Sequence, residues 1–478
     1  MTDYEPVVGM ECHAELLTES KMFCSCRNQF GGDPNTRCCP VCLALPGSLP
    51  VANRRAVEFV ILASLALNCS ITRHARFDRK NYFYPDLPKG YQISQYDQPI
   101  GTGGWIDIEV NGETKRVHIR RVHLEEDTGK LFHAVGNQSF VDLNRAGVPL
   151  MEIVTEFPPD IHSADEARAY LMKLRAILTY LGVCDGKMEQ GSLRCEPNVS
   201  VKKVGTASYG TKTEIKNLNS FRAVQRGIEY EVDRQISLIE NGEKIAQETR
   251  GWNEARQATY PQRSKEVEQE YRYFPDPDLV GLEITDEWIE QIRASMPELP
   301  DAKMNRFQQQ YGLSRADALQ LTETRALADY FEQTAGACSD ARAAANWVMG
   351  DLSRLLNSDA GDIASCKITP AHLGAMISMI TNGTISGKIA KTLIEHMYVT
   401  GENPAAIAER EGLLVMRDTG ALAAAVTTVL QANSAIVSDI KEKGLVGKKG
   451  FLVGQVMKAT GGKADPKEVN RLIDEQLV

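Results

Sequence analysis

Six carboxylates fall within residues 120–156: Glu125, Glu126, Asp127, Asp142, Glu152 and Glu156, set among the β-prone runs VHL, FVDL and LMEIV. Side chains alternate faces along a strand, so these acids are placed on sheet faces. If the strands pair, Glu125 or Glu126 converges with Glu152, and converging carboxylates repel unless a hard cation such as Mg2+ sits among them. A solvated acidic surface is the plainer alternative. Nearer the N-terminus, VVGMECHAEL (7–16) puts Val8, Met10, Cys12, Ala14 and Leu16 on one face and Glu11, His13 and Glu15 on the other. Three groups able to bind a cation or move a proton thus recur at every second position of a half-buried strand.

Thiols come next. Six of the eleven cysteines lie between positions 12 and 42. Cys39 and Cys42 in CPVC have the spacing of a structural zinc site, and Cys24 and Cys26 complete four thiolates. The first pair is C-x-C rather than C-x-x-C, Cys38 competes beside Cys39, and unliganded or redox thiols are the alternative. Four sulfurs around Zn2+ leave no open position, so such a metal holds structure rather than substrate.

Cations accompany the acids. LRCEPNVSV (193–201) alternates, with Arg194, Glu196, Asn198 and Ser200 on one face; Lys212, Glu214 and Lys216 share another, and Glu189 lies upstream. An arginine and lysines beside acidic strands suit an anionic substrate whose charge grows during phosphoryl transfer. In residues 76–98, Arg76, Arg79, Lys80 and Lys89 are interleaved with Tyr82, Phe83, Tyr84, Tyr91 and Tyr96. That composition suits stacking on bases, or a plain surface loop. Gly205 to Thr213 approaches a phosphate loop, but Thr211 intervenes before Lys212 and no helix follows, so a nucleotide would bind a sheet. GTGG (101–104) reads as a turn before the strand WIDIEV.

These groups need elements to position them. At 478 residues the chain should split into two to four domains. Its 43% hydrophobic and 24% charged content is ordinary for soluble globular protein. The first residues lack a signal-peptide pattern, and the longest apolar run, 59–67, is about half of the roughly 20 residues a bilayer needs. A cytoplasmic protein without a membrane segment is expected. A net charge of −9 excludes a globally basic nucleic-acid binder but not a local patch. Helical periodicity marks 51–67, ending at Asn68 as a C-cap. Ser163 and Glu166 form a capping box for a helix to Gly182, with Tyr170, Leu174, Ile177, Leu178 and Leu181 as its buried stripe. YRYFPDPD (271–278) closes the strand-rich half. Helices follow over 286–296, 341–357, 370–381 and 386–397, TGENP (400–404) reads as a linker, and a last group covers 418–432, 450–460 and 465–477. Between positions 440 and 463 stand six lysines and one acid. They make a cationic tail patch, or merely solvated helix faces.

The segments FDRKNYFYPDLPKGYQISQYDQPI, VHLEEDTGKL, KMEQGSLRCEPNVS, TEIKNLNSF, QETRGW and YRYFPDPDL carry a resemblance that runs from VVGMECHAEL to GFLVGQVMKATGG. The chain resembles the GatB/GatE family, the B-type components of the amidotransferase that converts Asp-tRNA(Asn) and Glu-tRNA(Gln) to their amidated forms. The resemblance implies an α+β fold: an N-terminal glutamine-synthetase-like antiparallel β cradle with a zinc-binding loop (1–293), an all-α helical domain (294–404) and a small all-α C-terminal tRNA-binding tail domain (405–478). It implies that ATP and Mg2+ serve to phosphorylate the side-chain carboxylate of the misacylated residue, after which ammonia displaces the phosphate. Glu11, His13, Glu125, Glu126, Glu152, Glu189 and Arg194 match the metal and ATP site, with Glu11, His13, Glu126 and Glu152 as Mg2+ ligands. Lys80, Lys89, Lys216 and Arg272 are the expected cofactor-binding residues. Of these, Lys80 and Lys89 are associated with ammonia passage, although a phosphate or tRNA role fits their chemistry equally. Cys24, Cys26, Cys39 and Cys42 become a structural Zn2+ site. The chain has no Ser-Ser-Lys amidase segment and no G-x-S-x-G elbow. A separate amidase component and a small third component that binds the two together are therefore implied as partners in a heterotrimer, with misacylated tRNA(Asn) or tRNA(Gln) as substrate. Two other classes stand beside this one: a noncatalytic tRNA-binding scaffold and a stand-alone amide ligase.

Overall fold

Alternation along β1 (Tyr4–Glu15) sets the architecture of the first part of the chain: Val8, Met10, Cys12 and Ala14 are buried on one side, and Glu11, His13 and Glu15 take the other. The computed structural model describes residues 3–133, 138–264, 271–359, 361–414, 419–443, 446–461 and 464–477. Its chain is α+β, a large N-terminal sheet followed by a helical C-terminal region, and it divides into two units, Met1–Leu299 and Pro300–Val478.

The first unit's strands after β1 are, in chain order, β2 (Ser70–Ile71), β3 (His74–Ala75), β4 (Asp78–Asn81), β5 (Tyr91–Ser94), β6 (Gly101–Val110), β7 (Glu113–Glu126), β8 (Lys130–His133) and β9 (Ser139–Asp142). There follow β10 (Pro149–Thr155), β11 (Leu193–Lys203), β12 (Thr213–Lys216), β13 (Glu248–Asn253), β14 (Ala258–Ser264), β15 (Phe274–Pro275) and β16 (Leu282–Glu283). Nine of them form one sheet in the order β14-β13-β12-β11-β1-β10-β7-β6-β2, which puts β1 at its middle. Every pair is antiparallel except β12 and β13, where the helix Phe221–Glu240 supplies the crossover that a parallel pair requires.

Among the described residues this unit has the α-helices α1 (Arg54–Ala66), α2 (Ala164–Tyr180), α3 (Phe221–Glu240) and α4 (Asp286–Ala294). Val60 and Ile61 of α1, Leu171 and Leu174 of α2, and Val224 and Ile228 of α3 join Val8, Met10 and Cys12 in one core. Each such side chain contributes about 1.5–3 kcal/mol on burial. The helices thereby close the apolar face of the sheet. The expected caps form: Asn68 takes a left-handed φ of 59° after α1, and Ser163 Oγ accepts from Glu166 N at 3.1 Å. His162 N, one residue before the cap itself, donates to Glu166 Oε2 at 2.6 Å.

The GTGG segment is not a turn but the opening of β6. A Cβ on Gly101 would stand 2.4 Å from Ser64 Oγ, and one on Gly104 would stand 2.4 Å from Leu67 O and Cys69 Sγ. These glycines let the end of α1 close onto the sheet, a packing demand that looks like turn chemistry in sequence.

The second unit contains α5 (Pro300–Tyr311), α6 (Arg315–Leu321), α7 (Arg325–Cys338), α8 (Ala341–Trp347), α9 (Ser353–Ser358), α10 (Pro370–Thr381), α11 (Gly387–Thr400), α12 (Pro404–Arg410), α13 (Thr419–Ala432), α14 (Ser434–Lys443), α15 (Lys449–Ala459) and α16 (Pro466–Leu477). A π turn, Val348–Leu352, joins α8 to α9 inside the single helix expected over 341–357. Two separate cores hold the unit. Phe307, Phe331, Met376, Ile394 and Ile407 belong to one, and Leu422, Val426, Leu452, Val456 and Ile473 to the other. Ile289 and Ile292 of α4 bury in the first unit's core, so that unit continues to residue 299. TGENP is a tight connection rather than a divide, because α12 buries Ile407 and Ala408 in the core of the helices before it. Among the described residues, no single helix is long and apolar enough to cross a membrane.

Candidate active site

Register assembles the polar face. Across β7, β10, β1 and β11, His123 stands opposite Glu152, Glu152 opposite His13, and His13 opposite Arg194. Two positions along β1, Glu11 stands opposite Glu196. Residues two apart on one strand share a face, so Glu125 joins His123, and Glu15 joins His13.

The ligating atoms of His13, Glu125 and Glu152 lie within 4.8 Å of one another. His123 Nε2 is 3.1 Å from Glu125 Oε1 and 3.1 Å from Glu152 Oε2, and His13 Nε2 is 3.6 Å from Glu152 Oε2. From β5, Ser94 Oγ donates to Glu125 Oε1 at 2.5 Å and Gln92 Nε2 to Glu125 Oε2 at 3.0 Å. Both carboxylates are buried, which alone would raise their pKa values. Lys80 nevertheless holds Glu125 below the usual range, and His123 and His13 hold Glu152 well below it. Burial disfavours the charged form of His13, but Glu152 overrides it and raises the imidazole to about 9. Lys80 is likewise raised, by Glu125, against the effect of burial. Two ionised carboxylates beside one imidazole fit a hard divalent cation, which would take over the neutralising role of the protons.

A second group, Glu11, Glu196 and Glu214, also lies within 4.8 Å. Lys216 Nζ is 2.7 Å from Glu196 Oε2 and 3.3 Å from Glu214 Oε1. Asn198 Nδ2 donates to Glu11 Oε1 at 3.0 Å, and Thr249 Oγ1 to Glu214 Oε2 at 2.8 Å. Burial first, then Glu152, Glu214 and Glu196, raise the Glu11 carboxyl. The ammonium of Lys216, raised by Glu196 and Glu214 despite burial, already stands among these acids as a cation. At the other end of the face, Arg194 Nη2 donates to Asp127 Oδ2 at 2.5 Å, and Arg145 Nε is 3.6 Å from the same oxygen. Those two guanidinium groups keep Asp127 low against burial. Glu15, desolvated beside Asp127, is pushed up to about 8.

The structure therefore brings Glu11, His13, Glu125, Glu152, Arg194, Lys216 and Lys80 together. Glu126 is not in the His13 group. As the residue after Glu125 it takes the other side of the strand, where Lys89 Nζ and the Ile93 amide, at 3.0 Å, bind its Oε1. Of the two neighbouring acids, it is Glu125 whose carboxylate lies within 4.8 Å of the ligating atoms of His13 and Glu152. Glu189 is exposed on the 3-10 turn Met188–Gln190 before β11, outside both carboxylate groups. Arg272 is exposed ahead of β15, at a φ of 44°, with its carbonyl accepting from Asn81 Nδ2. Sequence reasoning passes over His123 and Arg145, and places Asp127, Glu196 and Glu214 on polar strand faces without giving them a role in the site. Alternation carries a signal for His123 and Glu196, which share strand faces with Glu125 and Arg194; nothing local marks Arg145.

The four cysteines converge as expected. Cys42 Sγ is 3.6 Å from Cys24 Sγ and 3.8 Å from both Cys26 Sγ and Cys39 Sγ. Sulfurs about 2.3 Å from a central tetrahedral Zn2+ would be about 3.8 Å apart, so the donor set fits that ion. The hydrogen bond with Cys24 takes the Cys42 thiol down to about 4 against the effect of burial, and burial pushes Cys26 up to about 11. Cys38 turns away, its Sγ 4.0 Å from Asn144 Oδ1. We expect Cys42→Ser to lower bound zinc and to reduce the thermal midpoint by at least about 5 °C, with less effect on turnover. Metal analysis that finds no zinc in chain purified without chelator removes the ion from this site.

A model of the GatB/GatE catalytic domain matches residues 6–290, and a model of the GatB domain matches residues 329–477. The chain is 53% identical over 484 residues to the B subunit of the aspartyl/glutamyl-tRNA(Asn/Gln) amidotransferase of Carboxydothermus hydrogenoformans, spanning 100% of this chain and 99% of that protein. It is 54% identical over 478 residues to the protein of the same description from Brevibacillus brevis, with 100% and 99% covered. With that of Trichlorobacter lovleyi it shares 53% identity over 477 residues, covering 99% of each.

Proposed function

The chain belongs to the GatB/GatE family, and on that premise we propose that its polar sheet face is the ATP- and Mg2+-dependent site of a tRNA-dependent amidotransferase. As the B-type component, the chain acts in a glutamine-hydrolysing carbon–nitrogen ligase that converts misacylated Asp-tRNA(Asn), Glu-tRNA(Gln) or both to the amidated forms. The observation that supports the placement is the convergence of two carboxylate groups on one face with Arg194, Lys80 and Lys216. A carboxylate gives ammonia nothing to displace, because oxide would have to leave; phosphorylation supplies the leaving group. Mg2+, when bound, spreads the charge of the β- and γ-phosphates.

His13, Glu125 and Glu152 would hold that cation, whereas the group of Glu11, Glu196 and Glu214 already has the Lys216 ammonium among its acids. His13 acts as ligand or orienting donor rather than as general base. Arg194 and Lys216 face the charge that develops on the transferred group. The activated acyl group would hydrolyse in bulk water, so ammonia must arrive through protein. We assign Lys80 and Lys89 to the lining of that path and its source to a separate amidase component, joined to this chain by a small third component of a heterotrimer. The first unit is then the catalytic cradle, the helices from 300 onward a helical domain, and the last four a tRNA-binding tail. ATP cleavage by the chain, measured with and without misacylated tRNA, tests the reading. We expect marked stimulation by the tRNA. A scaffold would bind tRNA without cleavage, and equal rates would leave only a stand-alone ligase.

His13 carries a pH prediction. Without metal its imidazole stays protonated up to about 9. A cation needs the bare nitrogen, so binding at pH 7 releases a proton. Apparent affinity for Mg2+ or Mn2+ should therefore rise by up to about tenfold per pH unit below 9 and level above it. Calorimetric titrations at pH 7 in buffers of different ionisation enthalpy should report about one proton released per ion. Binding with no proton release excludes His13 as a ligand.

A further inference from the structure

Lys21 sits between β1 and the cysteine loop with its side chain completely buried, at 0% exposure. Its ammonium donates to Arg37 O at 2.9 Å, Leu143 O at 3.2 Å and Cys42 Sγ at 3.5 Å. A dry ammonium answered only by carbonyls is costly, so the anion it needs is the Cys42 thiolate. Four thiolates around one Zn2+ carry a net charge of −2, and Lys21 places a compensating charge inside the protein.

The same side chain joins two loops that are stitched together on either side of it. Asn35 N donates to Asp142 Oδ1 at 3.0 Å, and Leu143 N donates back to Asn35 Oδ1 at 2.8 Å. Arg37 N donates to Asn144 Oδ1 at 2.8 Å, and Asn144 Nδ2 to Asp33 O at 2.7 Å. The partner loop carries Arg145, whose guanidinium donates to Thr128 O at 3.0 Å and Gly129 O at 2.7 Å and approaches Asp127, the acid that holds Arg194. A small cavity lined by Cys24, Cys42, Lys89, Glu126, Asp127 and Gly147 gives the sulfur group and the catalytic sheet a common wall.

We propose that Lys21 is a positioning residue: a buried counter-cation that clamps the metal-loaded cysteine loop to residues 141–147 and so fixes Arg145 and the Asp127–Arg194 pair. The inference rests on reading the four cysteines as a Zn2+ site. An ion at the sulfurs, far from the reacting groups in bonding terms, thereby sets the geometry of the cationic end of the active site.

Lys21→Met in the full chain removes the charge and keeps the stem. We expect Zn2+ affinity, measured by competition with a chelator, to fall about ten- to hundredfold. Amide exchange over 141–147 should rise in this variant, and should rise in the same peptides when wild-type chain is stripped of Zn2+, recovering when the ion is restored. A merely structural lysine would loosen those peptides without changing Zn2+ affinity. Wild-type affinity in Lys21→Met overturns the proposal. So does wild-type exchange over 141–147 that is indifferent to Zn2+, a measurement that needs no variant and stands if Lys21→Met fails to fold. A wild-type chain that binds no Zn2+ overturns the metal reading and this inference together, whereas bound zinc with unchanged Lys21→Met behaviour rejects Lys21 alone.

Discussion

Glu152→Ala is expected to abolish tRNA-dependent ATP cleavage, a loss of about a thousandfold or more, with the assembled enzyme's glutaminase activity retained. Glu152 is the hub of the first carboxylate group: His123 and His13 both address its Oε2, and it faces His13 across β1 and β10. Removing it takes an oxygen donor from the proposed cation seat and leaves two raised imidazoles without their shared anion. Breaking a buried pair by deleting one partner costs about 3–5 kcal/mol when the survivor cannot neutralise itself. These survivors can, by losing a proton, so the stability loss should be smaller than that range. Glu152→Gln separates the two effects, because it keeps the shape and a hydrogen-bonding oxygen but not the charge. We expect the glutamine variant to match alanine in lost activity and in weakened Mn2+ binding, while its thermal midpoint stays nearer the wild type. Near-wild-type ATP cleavage by either variant removes Glu152 from the site.

Much of this site is legible in the sequence, because a strand makes chemistry periodic. Glu11, His13 and Glu15 announce a polar face, and Glu125 with Glu152 announces another. What period-two reading cannot supply is register between strands that lie far apart in sequence. Glu196 meets Glu11, and Arg194 meets His13, across more than 180 positions of chain. Without that pairing the acids at 196 and 214 look like ordinary strand surface. The choice between Glu125 and Glu126 is lost in the same way: adjacent residues take opposite faces, and only the pairing of β7 with β10 shows which one looks toward Glu152. The cysteine group is readable because its spacing is local, whereas the buried Lys21 behind it has no pattern to mark it. Several helices of the second unit announce themselves by periodicity, but α5, α6, α7, α12 and α14 are not among those expected, and the core that α12 shares with α10 and α11 depends on tertiary contacts the linker-like TGENP conceals.

Deleting residues 415–478 is expected to raise KM for misacylated tRNA by about ten- to a hundredfold, with a smaller loss of kcat and no loss of glutaminase activity. The cut follows from the cores. A truncation beginning at 405 would strip Ile407 and Ala408 from the core of the preceding helices, whereas one after 414 removes α13 to α16 together with the separate core they form. The lysines of this segment are the reason to expect tRNA capture in a chain whose net charge of −9 otherwise repels RNA. Intramolecular acids already engage two of the six: Lys448 pairs with Asp439 at 2.7 Å, and Lys449 with Asp474 at 2.6 Å. Lys441 and Lys458 are exposed, and the side chains of Lys443 and Lys463 lie outside the described residues. Four lysines contacting phosphate would release about four counterions, giving a salt slope no steeper than about −4 and roughly a hundredfold loss of affinity from 50 to 200 mM salt. Binding of tRNA to wild type and truncation at several salt concentrations reads this directly. The truncated chain should bind more weakly at low salt and show a flatter dependence. Equal affinities with equal slopes would mean that these lysines are solvated helix faces and that tRNA is held by other parts of the chain.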